Sequence, residues 1–462
     1  MPDLSHAATT SRITGTAGAA SAGPLDSERV YDLIGIGVGP FNLGLAALAD
    51  PVAELDVLFL DQAEEFNWHP GMMLPDAHLQ VPFIADLVTM ADPTSPYSFL
   101  NYLKQQGRLY QFYIREDFYP LRSEYNKYCQ WVAQQLPVRF GTAVTAIDHR
   151  AGEYMLRVTD ASGEHTLRTR KIVLGTGSIP YLPPGLAPLH DRPGQPHLLH
   201  SSEYLSRKAE LQQLDSVTVL GSGQSAAEIY HDLLSEQEQY GYELIWLTRS
   251  PRFFPLEYTK LTLEMTSPEY IDYFHELPPQ QRAQLGQEQK NLYKGIDSVL
   301  INAIYDLLYQ RSVAGPVPTR LLSSTEVESA EHNGAGYTLT LRQMEQGKRA
   351  ELRTGGLIAA TGYSYRQPEF LEGVRDRLVF DVQGQFAVDR GYSISAVPGE
   401  VFVQNAELHT HGFTAPDLGM GPYRNSCILR SVLGREVYPV EQRIAFQEFG
   451  VAKQSAPVAV AR

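Results

Sequence analysis

Gly37 and Gly39, in the run Gly35-Ile36-Gly37-Val38-Gly39-Pro40-Phe41-Asn42, are spaced to bring backbone N–H groups against a pyrophosphate. A side chain at such positions would strike the phosphate or demand a left-handed backbone, which is why glycine is needed there. Asn42 stands where a third glycine would complete the pattern, so on its own this turn is a weak signal. A second turn far downstream, Gly221-Ser222-Gly223-Gln224-Ser225-Ala226, repeats the chemistry and removes most of the ambiguity. Two such turns imply two dinucleotides.

The residues that follow each turn tell the two nucleotides apart. Asp61 ends the apolar run 55–60, about 20 residues past the first glycines, where an acid can hold ribose hydroxyls. An acid at a strand end also serves as an ordinary loop cap. The run 243–247 ends at Thr248-Arg249-Ser250 instead. Arg249 there fits a ribose 2′-phosphate, so the second nucleotide is expected to be NADP(H) and the first to carry an unphosphorylated ribose. The bland alternative for Arg249 is an exposed arginine without a partner.

Strands and helices must hold these groups in place. An apolar run through Leu33, Ile34 and Ile36 leads into the first turn, and Leu43, Ala46, Ala47 and Leu48 follow with helical spacing. Residues 216–220 lead into the second turn, and Ala226, Ile229, Tyr230, Leu233 and Leu234 mark the apolar face of the helix after it. Further helices are expected at 99–104 and 122–135, a hairpin at 144–147 and 154–158, and strands at 172–174, 337–341, 356–360 and 400–403. Residues 255–320 lose the strand signals and read as a mostly helical insertion. Between these elements, residues 66–88 crowd Trp68, His69, three prolines, two methionines and Gln80 into a stretch of poor periodicity. Such a stretch suits either a wall around a flat aromatic ligand or an irregular core loop.

Composition excludes several classes. A net charge of −15 argues against a nucleic-acid or anionic-membrane binder. Cys129 and Cys427 form neither a disulfide framework nor a CxxC redox pair. The polar loop near the end holds His409, His411 and Asp417, but no third metal ligand accompanies the histidines, so no metal is expected. No run has the length of a membrane span, residues 1–27 read as a tail, and a cytoplasmic location follows by default.

Several of these pieces recur together in a known order: Gly37-Val38-Gly39-Pro40-Phe41-Asn42, Trp68-His69-Pro70-Gly71-Met72, Asp86-Leu87-Val88 with Asp92-Pro93, Gly221-Ser222-Gly223-Gln224-Ser225-Ala226, and Ala360-Thr361-Gly362-Tyr363. In this the chain resembles the N-hydroxylating flavoprotein monooxygenases of siderophore synthesis, the lysine and ornithine N-monooxygenases, over about residues 29–440. The resemblance implies FAD at the first turn and NADPH at the second. It implies that NADPH reduces the flavin and that O2 then delivers one oxygen atom to a primary amine, leaving a hydroxylamine and water. Gln80 matches a family glutamine that lies against the flavin, and Trp68, His69 and Asp417 join the cofactor-binding set. The family often forms homotetramers.

The substrate is where the chain departs from the amino-acid hydroxylases. Those enzymes carry a lysine in the run Phe-Leu-Lys-Asp-Leu, whose ammonium pairs with the substrate carboxylate. Here the run is Phe83-Ile84-Ala85-Asp86-Leu87, so Ala85 removes the cation. The ornithine enzymes also place an asparagine before a Tyr-Ser-Val-Val run, where this chain has Leu292-Tyr293-Lys294-Gly295-Ile296. An unpaired buried carboxylate costs several kcal/mol, so the expected substrate is a diamine, cadaverine or putrescine. Lys294 replacing the lost cation would keep lysine or ornithine as the alternative.

The expected architecture is α/β: two Rossmann-like dinucleotide-binding domains, the second inserted in the first, with a small helical substrate segment. The boundaries are an FAD unit at 28–203 and 378–450, an NADPH unit at 204–257 and 320–377, the helical segment at 258–319, and a second tail at 451–462. A sulfide- or ketone-oxidising flavin monooxygenase is the nearest rival, since His200-Ser201-Ser202-Glu203-Tyr204 faintly echoes a linker motif of that group. A redox sensor that binds nucleotides without turnover is the non-enzymatic one.

Overall fold

The computed structural model describes residues 25–190, 197–441 and 443–451. The expected tails lie outside these residues except for 25–27 and Val451, and Leu25 is already half-buried against the core.

Leu33–Ile36 is apolar on both faces and buried along its whole length, as a central parallel strand must be. Val57–Leu60 and Ile172–Leu174 flank it. Val138–Arg139 and Val401–Val403 close the two edges of this five-stranded parallel sheet. The chain therefore returns, after more than two hundred residues, to the sheet it began. The second five-stranded sheet runs Leu198–His200, Gly356–Ala359, Ser216–Leu220, Glu243–Leu247, Thr319–Leu322, again all parallel. All its strands fall within the loop of chain that leaves the first sheet. An antiparallel meander accompanies each sheet. Ala143–Arg150, Glu153–Asp160 and Gly163–Thr169 pack on the first. Thr325–His332, Tyr337–Gln343 and Arg349–Thr354 pack on the second.

This topology moves two of the expected boundaries. Leu198–His200, assigned to the first unit, pairs with Leu357 to Ala359 of the second sheet. The Glu369–Arg377 turn, assigned to the second unit, packs on the Ala143–Arg150 strand, with Leu371 and Val374 in the first sheet's core. Both misplacements come from reading continuity along the chain where pairing across it decides.

The helical segment comprises Lys260–Leu263, Pro268–Glu276, Pro279–Glu288 and Ser298–Ser312. Ile304 of the last helix joins the second sheet's core, while Tyr270 and Phe274 pack on Phe413, in the stretch that follows the last strand of the first sheet. The segment thus spans the two sheets. The helices expected at 99–104 and 122–135 are Phe99–Gln105 and Arg122–Ala133.

Candidate active site

Both glycine turns are built alike. Gly37 has φ +86°, and a Cβ on it would overlap the carbonyl of Gly175, which ends the neighbouring strand. Gly221 has φ +149°, and its Cβ would overlap the carbonyl of Ala360 in the same relation. The first glycine of each turn is thus required by the sheet itself. Gly39 differs: a Cβ there meets no protein atom within 4 Å, so its open side is the one a phosphate would face.

The helices that follow fit an anion. Pro40–Ala49 begins at Gly39 and Gln224–Tyr240 at Gly223, neither with a side-chain cap nor with an acid in its first turn. Their first N–H groups are left for a ligand, and the helix dipole favours a negative one. Three other helices do carry a side-chain cap, with Ser98, Ser267 and Asp297 accepting from their first turns.

Asn42 does not face the ligand side. It is fully buried, donates from Nδ2 to the Gly37 carbonyl at 2.7 Å and accepts from Gln404 Nε2 at 2.7 Å. Expected among the cofactor-binding residues, it instead braces the turn from behind, because both ends of its amide are occupied by protein.

Asp61 does both things the sequence allows. Its Oδ1 caps the loop by accepting from Ala63 N at 2.8 Å, and its Oδ2 accepts from Val38 N, inside the glycine turn, at 2.6 Å. A carboxylate accepts about four hydrogen bonds, so capacity remains for ribose hydroxyls. Arg249 is exposed and, among the described residues, has no carboxylate within 4.0 Å. Ser250 beside it links to Ser222 of the second turn at 2.9 Å between hydroxyl oxygens.

Lys294, placed with the substrate residues, sits instead against the second turn, its carbonyl 3.4 Å from a Cβ built on Gly223. Burial first, then the charges of Lys290 and Arg249, lower its ammonium pKa. Replacing Arg249 with Ala is expected to lower the preference for NADPH over NADH by about tenfold or more, since a charge-assisted pair is worth ~1.5–3 kcal/mol; initial-rate kinetics with both coenzymes check it.

Residues 66–88 are divided between the two cores. Phe66, Leu79, Leu87 and Val88 enter the first core, while Met72, Leu74 and Ala77 enter the second. Between them Trp68 and Gln80 are half-buried and His69 is exposed. The His69 ring lies 5.1 Å from Trp68 and 5.4 Å from Tyr363, and His200 meets the other side of Tyr363 at 5.1 Å. The rings packed around it, with the Arg122 charge second, pull the His69 pKa down to about 4. Gly71 packs so tightly against the Ser202 carbonyl that no side chain fits.

Ala85 is buried, and Gly419 lies across from it, with built Cβ to Cβ at 3.6 Å. Asp417 accepts from Gly419 N at 2.7 Å. The Tyr258 phenol feels both Tyr119 and Asp417, and burial first, then these neighbours, raise its pKa. Asp417, beside Gly419, and the Tyr258 and Tyr119 phenols thus act on one another. Leu292 ends a short turn, Gln289–Leu292, and packs near Tyr270 and Phe413. His409 Nε2 bonds the Phe386 carbonyl at 2.8 Å and His411 is buried beside Thr410. Among the described residues no three potential ligands gather for a metal, and no helix is long and apolar enough to cross a membrane.

Sequence reasoning missed Glu228, Arg122, Gln404 and Tyr258, which reach the site from distant parts of the chain and carry no local pattern.

Known proteins share this arrangement. The chain is 52% identical over 425 residues to a putrescine N-hydroxylase of Shewanella oneidensis, covering 91% of this chain and 84% of that one. A solved structure of DfoA bound to FAD, the cadaverine monooxygenase of desferrioxamine biosynthesis from Erwinia amylovora, superposes with TM-score 0.89 at 53% identity, over 92% of this chain and 100% of that one. The ornithine N-hydroxylase KtzI of Kutzneria sp. 744, solved with reduced FAD, NADP+ and L-ornithine, gives TM-score 0.81 at 28% identity, over 88% and 99%. The family model described as L-lysine 6-monooxygenase/L-ornithine 5-monooxygenase matches residues 29–365, through both glycine turns and the wall between them, and the chain belongs to that family.

Proposed function

We propose that this protein is an FAD- and NADPH-dependent N-monooxygenase that hydroxylates one primary amine of an aliphatic diamine, cadaverine or putrescine, as the first step of hydroxamate siderophore synthesis. FAD at the first turn, reduced by NADPH at the second, supplies oxygen activation: amine, O2, NADPH and a proton become hydroxylamine, water and NADP+. The chain's own residues do the rest. The two bare helix ends take the pyrophosphates, Asp61 takes the flavin nucleotide's ribose, and Arg249 with Lys290 and Lys294 takes the 2′-phosphate. Trp68, His69, Gln80 and Tyr363 wall the cleft in which the amine must be presented neutral and dry.

The observation that carries the substrate reading is the surroundings of Ala85. An amino-acid carboxylate placed there would meet Asp417, and the cation that acts on Asp417, Arg424, is already paired with the buried Glu407 at 3.1 Å. The distal ammonium of a diamine would meet a carboxylate and aromatic faces instead, both favourable to a cation. One charge pair at 4 Å in such a setting amounts to about 4 kcal/mol, enough to decide between substrates. The relatives named for putrescine and cadaverine support the same reading.

Hydroxylamine formation coupled to NADPH oxidation, measured with cadaverine, putrescine, lysine and ornithine, tests it. Diamine kcat/KM is expected to exceed that for either amino acid by about a hundredfold. Equal or better coupling with lysine or ornithine overturns the proposal.

A further inference from the structure

Glu228 lies on the second glycine-turn helix, one turn after Gln224, and is only 7% exposed. As a carboxylate it accepts only, so everything bonded to it must present hydrogen. Arg122 presents two, from Nη2 to Oε1 at 2.8 Å and from Nη1 to Oε2 at 3.0 Å. Gln224 presents a third, from Nε2 to Oε1 at 3.0 Å. The Gln224 amide is thereby turned with its NH2 toward Glu228. The backbone N–H of Asp297, 2.8 Å from Gln224 Oε1, requires the same orientation from the other end.

That orientation passes on. The other group against Gln224 Oε1 is Gln80, whose Nε2 donates to it at 3.3 Å. Since the oxygen can only accept, Gln80 must turn its NH2 inward and leave its own carbonyl directed away from Gln224. One buried carboxylate, with the Asp297 N–H at the other end, thus sets the polarity of two amides in series. The same Arg122 donates to the Met72 carbonyl at 2.7 Å, so the segment carrying Trp68 and His69 is tied to the carboxylate as well.

We propose that Glu228 is a positioning residue for the reaction: through Gln224 it fixes Gln80 with its carbonyl, not its NH2, turned to the cleft. The proposal rests on the reading of that cleft as the flavin site. A hydrogen-bond acceptor there suits a ring bearing N–H groups, and reduction adds N–H to the flavin. An oxygen so placed favours the reduced cofactor, and an NH2 in its place would oppose it. A purely structural salt bridge between the two halves of the molecule would hold the domains together without caring which end of the Gln80 amide faces out.

The experiment uses the FAD-loaded enzyme with Glu228→Gln, Gln224→Met and Gln80→Leu, singly and with each of the first two combined with the third. Gln224→Met leaves the Arg122–Glu228 pair in place and so decides the matter even where Glu228→Gln folds poorly. The readouts are the flavin midpoint potential, its visible spectrum, and the anaerobic rate of flavin reduction by NADPH. Both Glu228→Gln and Gln224→Met are expected to move the potential to more negative values and to slow reduction about tenfold, and neither is expected to add to Gln80→Leu, as residues acting through one group do not add. A Gln224→Met enzyme with wild-type potential and reduction rate overturns the proposal, and so does a full additional loss on top of Gln80→Leu. The wild-type protein assayed alongside reports on the functional reading by itself: if it retains no FAD or forms no hydroxylamine, that reading fails independently of the variants.

Discussion

Ala85→Lys is expected to cut kcat/KM for cadaverine and putrescine by about a hundredfold, or ~2.7 kcal/mol, and to raise lysine or ornithine relative to them. Ala85 is buried opposite Gly419, whose N–H donates to Asp417. A lysine ammonium introduced there would pair with Asp417 and take from the substrate the group that receives its distal charge. It would also repel that charge directly, at a cost of a few kcal/mol for like charges at contact distance. An amino-acid substrate is affected in the opposite sense, because its carboxylate gains a cation. Added bulk alone also lowers activity, so Ala85→Met is the control: similar length, no charge. The measurement is NADPH-coupled hydroxylamine formation with each amine for all three enzymes. Should Lys and Met variants lose diamine activity equally and leave the amino acids unchanged, charge at this position does not set specificity.

The distinction between what the sequence showed and what it hid follows the range of the interactions. The strand before each glycine turn, the turn and the helix after it are consecutive, so Leu33, Gly37 and Leu43 announce one another by spacing. The same holds for Gly221 and the apolar face through Ala226, Ile229 and Leu233. Asp61 and Arg249 were legible because each strand end lies at a short, regular distance from its turn. Asn42 was visible as a departure from the glycine pattern, but its role was not: the bond that explains it comes from Gln404, 362 positions away. Arg122 and Glu228 are 106 positions apart and give no local signal. The misplaced boundaries at Leu198–His200 and Glu369–Arg377 have the same origin, since a short strand joins a sheet by partners and not by its own pattern. Lys294 was set beside the substrate by alignment with other sequences, and only the fold brings its backbone against Gly223.

The glycine turn itself yields the sharpest separation of folding from binding, because Gly37 and Gly39 are needed for different reasons. Gly37 sits at φ +86°, where an L side chain costs about 1–2 kcal/mol. Its Cβ would also overlap the Gly175 carbonyl and crowd the Thr176 Cα, which are backbone atoms with no rotamer to yield. Gly37→Ala is therefore expected to destabilise the protein by about 3 kcal/mol or more, the sum of backbone strain and overpacking, whether or not FAD is present. Gly39 has φ −82° and ψ 178°, extended backbone open to any residue, and its Cβ would meet no protein atom. Gly39→Ala should leave the thermal unfolding of the FAD-free protein within about 0.5 kcal/mol of wild type while lowering FAD affinity at least about tenfold, because only a ligand phosphate stands where the methyl would go. Thermal unfolding with and without FAD, together with FAD titration, measures both. If Gly39→Ala binds FAD as tightly as wild type, the pyrophosphate does not approach this face of the turn, and the bare helix end at Pro40 loses its assigned ligand. If it unfolds as readily as Gly37→Ala without cofactor, the glycine is there for the fold, and two adjacent members of one motif would share a cause that their geometries do not.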